Sequence, residues 1–140
     1  MKPARRSRLG VRPSIHLALL PALLLAPAAA QAHHSFAVFF DPSKTVTVTG
    51  KVTEFRFTNP HGTLALEVPG KDGTIQRWRV ETNAPVVLAR RGWSRGALKP
   101  GDTVTVEGWP ARDGKPYLRL RRATDAQGQP IGQPFGQGDG

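Results

Sequence analysis

The sequence predicts a small, mainly β domain in which one short helix interrupts five strands, in the order β-β-β-α-β-β. Three observations carry that prediction. Apolar residues recur at every second position in successive short runs, the period of a strand with one buried face. Turns rich in Gly, Pro, Asn and Asp separate these runs. One segment between the third and fourth runs breaks the period and carries helix start and stop signals. A single helix after the third strand is the order of an OB-like barrel, which is five-stranded and partly open. An irregular sandwich is the competing architecture, and the position of the helix favours the barrel.

The elements follow in order. Thr45 to Phe57 reads as a long first strand, with Val46, Val48 and Val52 on one parity. The apolar parity then switches to Phe55 and Phe57, which requires a bulge or bend, and Gly50 stands nearby to allow it. Asn59-Pro60-His61-Gly62 is a turn by composition. Thr63 to Val68 alternates again, with Leu64, Leu66 and Val68 inward. Pro69 to Gly73 forms a hairpin loop, and Ile75 to Glu81 returns with Trp78 and Val80 on one face. Asn83 is the expected N-cap of a short helix running from Val86 to Arg91, with Pro85 in its first turn and Gly92 at its end. Thr103 to Trp109 is the fourth strand, Arg112 to Lys115 a second hairpin, and Tyr117 to Thr124 the fifth strand.

Outside that core the chain changes character. The first 13 residues carry Lys2, Arg5, Arg6, Arg8 and Arg12 and no acid, and a Leu- and Ala-rich run follows from Ile15 to Ala29. Ala30 and Ala32 then give the Ala-x-Ala pattern of a signal-peptidase site. The apolar run is shorter than the roughly 20 residues of a spanning helix, and Pro21 and Pro27 interrupt it. The organisation expected is a signal peptide at 1–32, an apolar arm at 33–44, the barrel at 45–124 and a disordered Gly/Gln/Pro tail at 125–140. The expected location is periplasmic or secreted, with no transmembrane segment after cleavage. Arg5-Arg6 hints at twin-arginine export, although Arg8 stands where a large apolar residue is usual.

Removing the leader takes five of twenty basic residues and none of ten acids, so the formal charge falls from +10 to +5. A moderate positive charge of this kind argues against nucleic acid as the partner. There is no cysteine, so stability rests on packing rather than disulfides. A single domain of this size is expected to be a monomer whose partner is a periplasmic ligand or protein.

Two clusters could carry chemistry. Cleavage after Ala32 leaves His33 at the N-terminus, where its α-amine and imidazole form a chelate suited to Cu(II). His34 and, if the arm folds back, His61 could add imidazoles, making copper or zinc the candidate cofactors. The bland reading is an exposed arm and a histidine that braces its turn. The second cluster is basic: Arg77 and Arg79 share one face of the third strand, and Arg119 and Arg121 one face of the fifth. Such a face could bind an anionic polysaccharide, lipid headgroup or nucleic acid, or could simply be solvated. A third reading is a structural envelope protein that docks a partner through the arm. Catalysis has little support. Glu54, Glu67, Glu81 and Glu107 sit singly on strands, and no nucleophile elbow or phosphate-cradling loop is present. A non-enzymatic binding domain is therefore expected.

Several motifs together resemble a family of small exported bacterial proteins known only as a domain of unknown function. They are Ala32-His33-His34-Ser35-Phe36, Asn59-Pro60-His61, Trp78 with Glu81, Arg91-Gly92-Trp93, Lys99-Pro100-Gly101-Asp102 and Pro110 to Gly114. The resemblance spans Ala32 to about Ala123 and implies export and a small β-barrel-like domain. It implies no activity, substrate or cofactor.

Overall fold

The computed structural model describes residues 36–139, so the expected leader, His33 and His34 lie outside the described residues. Five strands form: β1 (Val46–Arg56), β2 (Thr63–Pro69), β3 (Ile75–Glu81), β4 (Thr103–Pro110) and β5 (Tyr117–Asp125). Helix α1 (Pro85–Arg90) lies between β3 and β4. The strands close into a barrel in the order β1-β2-β3-β5-β4, with β4 pairing back onto β1. Every neighbouring pair is antiparallel except β3 with β5. This is the mainly β, OB-like barrel that the alternating pattern predicts.

The inward positions build the core. Leu64, Val80, Val104, Val106, Leu118 and Leu120 are all fully buried. Each comes from the apolar parity of its strand, so burial and period agree. The parity switch in β1 is resolved by a register shift between Val52 and Glu54, at Thr53 rather than at Gly50. This turns Phe55 and Phe57 toward the core, where they pack against it while partly buried. A second shift lies between Glu107 and Gly108, opposite Arg121 on β5. Gly108 sits at that point because a Cβ there would overlap the Arg119 carbonyl oxygen. No helix among the described residues is long and apolar enough to cross a membrane.

Two expectations are corrected. The N-cap of α1 is Ala84, without a side-chain cap. Asn83 is instead fully buried, and its side-chain amide has no hydrogen-bond partner. Its backbone carbonyl is used, accepting from Gly62 N–H at 3.1 Å, which draws the residue off the helix axis. The segment after Asp125 is also no free tail. Phe135 is buried within the core cluster, its ring 6.4 Å from that of Trp93. Backbone bonds from Ile131 to Ala123, from Gln133 to Arg91 and from Phe135 to Arg121 tie the segment down. The Arg91 guanidinium adds bonds to the Pro134 carbonyl and the Asp139 carboxylate. Burying one phenylalanine is worth about 2–3 kcal/mol, enough to anchor a segment whose composition is otherwise polar.

The N-terminal arm docks beside the hairpin that joins β4 to β5. Residues 36–39 form a helical turn, and Phe40 bridges Ala111. Arg112 reinforces the contact, its N–H donating to the Phe39 carbonyl and its guanidinium Nε to that of Ala37 at 2.7 Å. The Phe36 ring meets Trp109 edge-on at 5.3 Å, and the Phe40 ring lies 5.1 Å from Tyr117. Aromatic side chains offer large apolar area with preferred tilted geometries, which explains why so short an arm holds its place.

Candidate functional site

The register of three strands assembles the site. In the ladder Arg119 stands opposite Glu81 on one side and Trp109 on the other, while Glu81 also faces Thr63. Because paired residues share a face, Glu81, Arg119 and Trp109 all project from the outer surface. Arg79 and Tyr117 form the next pair on the same face. The loop after β1 supplies the remaining member. Gly62 allows that loop to press against the end of β3, since a Cβ there would lie 2.5 Å from Thr82 Oγ1. Thr82 N–H returns a bond to the Gly62 carbonyl at 2.9 Å. His61 is thereby held above Glu81.

Glu81 is the hub. His61 Nδ1 lies 3.0 Å from its Oε1, and Arg119 Nη1 donates to the same oxygen at 2.7 Å. The Tyr117 hydroxyl donates to the other oxygen, Oε2. With Nδ1 turned toward the carboxylate, Nε2 lies on the far side of the ring. The His61 side chain is 42% exposed, whereas that of Arg119 is only 8% exposed. Burial first, and then the bond to Glu81, push the Tyr117 phenol well above its ordinary pKa, so it remains a donor. The Arg79 guanidinium stacks over the Tyr117 ring, 5.5 Å from its centroid.

The predicted site residues are distributed unevenly around this hub. His61 is in it. No group of three His, Cys, Asp or Glu side chains among the described residues could hold a metal ion. Of the four arginines, Arg119 is committed to Glu81 and Arg121 to Glu107. Arg79 lies against Tyr117, and Arg77 is 88% exposed with Glu67 only loosely opposed at 3.8 Å. Arg119 and Arg121 do not share a single open surface, because the bulge turns Arg121 and Arg122 together onto Glu107. Glu81 and Tyr117 are the members that sequence reasoning left unassigned. The signal for them was the Glu at the end of one outward parity and the Tyr opening another.

Comparison with known proteins gives likenesses in fold. The mitochondrial single-stranded DNA binding protein Rim1 from S. cerevisiae is 15% identical, over 59% of this chain and 92% of its own, at a TM-score of 0.45. The N-terminal domain of PriB from Thermoanaerobacter tencongensis is 21% identical, over 60% of this chain and 97% of its own, at 0.44. The small single-stranded DNA-binding protein from Streptomyces coelicolor is 19% identical, over 59% and 90% respectively, at 0.39. No curated protein matches the chain. A family model matches residues 22–118, and the chain belongs to that family, a family of unknown function (DUF6152).

Proposed function

We propose that the chain is an exported, non-enzymatic binding domain that holds a metal ion, copper in preference to zinc, between its N-terminal histidines and His61. The observation that carries this reading is the contact of His61 Nδ1 with Glu81, which leaves Nε2 as the available lone pair. A carboxylate behind the second ring nitrogen is the usual support of a metal-binding histidine, fixing its tautomer and orientation. The docked arm gives further support. Its Phe36 lies on Trp109, three ladder steps from Thr63, or about 14 Å at the usual strand spacing. Phe36 is three steps along the chain from His33, a stretch that spans up to about 10 Å. Side-chain length and the two residues from Thr63 back to His61 cover the remainder.

The test begins with the mass and N-terminal sequence of the exported protein, followed by Cu(II) and Zn(II) titration. Copper binding at micromolar or tighter affinity, weakened by His61→Ala and by blocking the α-amine, supports the reading. Absence of binding at a confirmed His33 terminus overturns it.

A second reading is an anionic-ligand module, and a specific observation favours it: Arg77 and Arg79 stay exposed on one strand face. Polysaccharide, lipid headgroup or nucleic acid phosphate would each bind there with affinity that falls steeply with salt. Binding that ignores salt, or survives Arg77→Ala with Arg79→Ala, counts against it. A third reading, a structural envelope protein, draws on Val38 and Phe39, which are 65% and 62% exposed on the arm. Deleting residues 36–40 and finding unchanged partner capture would remove it.

A further inference from the structure

The barrel is closed on every side but incompletely between β3 and β5. β3 has seven residues, and only Arg79, Val80 and Glu81 pair with β5. Pro116 precedes the pairing segment and has no N–H to extend the ladder, although its carbonyl accepts from Arg79 N–H at 2.9 Å. Along a strand, alternate residues turn their backbone groups to the same side. The N–H and C=O of Arg77 and Ile75 therefore face where β5 would continue. Among the described residues nothing pairs with them there. A hollow of about 520 Å³ opens at this edge, lined by Glu67, Ile75, Gln76, Arg77 and Pro116.

We infer that this edge, from Ile75 to Trp78, accepts a short extended acidic peptide as an added strand. An unpaired edge offers a template of donors and acceptors, and peptide recognition by strand addition takes its affinity from such main-chain bonds. Side-chain chemistry then selects the occupant. The outward side chains beside an added strand are those of Ile75 and Arg77, since Arg79 already pairs with β5. Ile75 is 56% exposed and calls for an apolar neighbour. Arg77 calls for a carboxylate two residues along the added strand from that apolar one, because cross-strand neighbours of opposite charge stabilise and like charges destabilise. Glu67, the neighbour of Arg77 on β2, lies 3.8 Å from it, too far for a hydrogen bond. An incoming carboxylate can thus engage the Arg77 guanidinium without breaking a formed bond. Lys115, on the loop before Pro116, is occupied by Asp113 at 2.8 Å. The inference is independent of the metal reading, since the edge and His61 lie at different ends of β3.

The test uses the full-length protein and three capped peptides that set valine two residues from glutamate, from glutamine or from lysine. Binding is followed by NMR shifts and by hydrogen exchange at the Ile75 and Arg77 amides. The glutamate peptide should bind at least about tenfold more tightly than the lysine peptide, and slow exchange at both amides. Arg77→Glu should abolish or reverse that preference while leaving the thermal midpoint nearly unchanged, because the Arg77 side chain is 88% exposed. Equal binding of the glutamate and lysine peptides, or binding without protection of those two amides, overturns the inference. Concentration-dependent dimers that protect the same amides without peptide would also overturn it, by making a second copy the occupant.

Discussion

Two glutamates on the outer face of the barrel meet arginines of the same strand, β5, with different results. Glu107 is held by Arg121 and Arg122, three nitrogens of two guanidinium groups closing on its two oxygens. Glu81 takes one guanidinium, one phenol and one imidazole, those of Arg119, Tyr117 and His61. The first arrangement engages both oxygens with charged donors and acts as a cross-link between β4 and β5. The second sets a carboxylate beside the Nδ1 of a half-exposed histidine. One strand thus supplies both a fastening and a candidate ligand support. The β-bulge at Arg121 separates them, by turning two consecutive arginines onto one acid.

The strongest way to disturb both regions is at Gly108, beside the bulge. An added Cβ would overlap the backbone of Arg119 and approach Leu118, so neither side can yield cheaply. Gly108→Ala should cost more than about 3 kcal/mol in urea denaturation, near the upper end for single substitutions. Near-native stability in that variant would mean that the ladder relaxes around the bulge.

Removing each carboxylate alone should then separate the two regions by magnitude. Glu81→Ala strands a guanidinium that is 8% exposed, and breaking a buried pair from one side costs about 3 kcal/mol. Glu107→Ala frees Arg121 and Arg122, which are 46% and 60% exposed and can rehydrate, so its cost should be about 1 kcal/mol. Equal losses in the two variants would break the comparison.

The smallest effect concerns pH. Burial works to raise the Glu107 pKa, but bonds from Arg122 and Arg121 outweigh it and hold the carboxyl below its ordinary value of 4.5. A depressed folded pKa contributes stability that is complete above the unfolded value and disappears as pH falls through the folded one. The stability difference between the wild type and Glu107→Gln should therefore be constant from neutral pH to about 5 and narrow as pH drops below 4. Denaturation curves across that range check it, and a difference that widens in acid would contradict the assignment.

Much of the barrel was legible because its information is local. Alternation at Leu64, Leu66 and Val68, and again at Val104 and Val106, names strands and faces without knowledge of partners. The parity switch before Phe55 announced a bulge for the same reason. The meeting of His61 with Glu81 was not legible, because it depends on the register of β2 against β3 and on a loop pressed close by Gly62. Arg119 and Arg121 looked equivalent until the bulge on β5 gave them different acids. The segment after Asp125 misled by composition: one Phe135, inserted beside Trp93, outweighs the Gly, Gln and Pro around it. Asn83 misled by type. It is a good capping residue whose backbone is drawn into a different bond.

On the proposed reading, Glu81 presents His61 Nε2 as a ligand to a copper ion held with the N-terminal histidines. The most direct measurement is the electron paramagnetic resonance spectrum of the exported protein loaded with one equivalent of Cu(II). The nitrogen hyperfine structure should lose one imidazole contribution in His61→Ala and keep it, with altered orientation, in Glu81→Gln. A spectrum identical in the wild type and His61→Ala would contradict it.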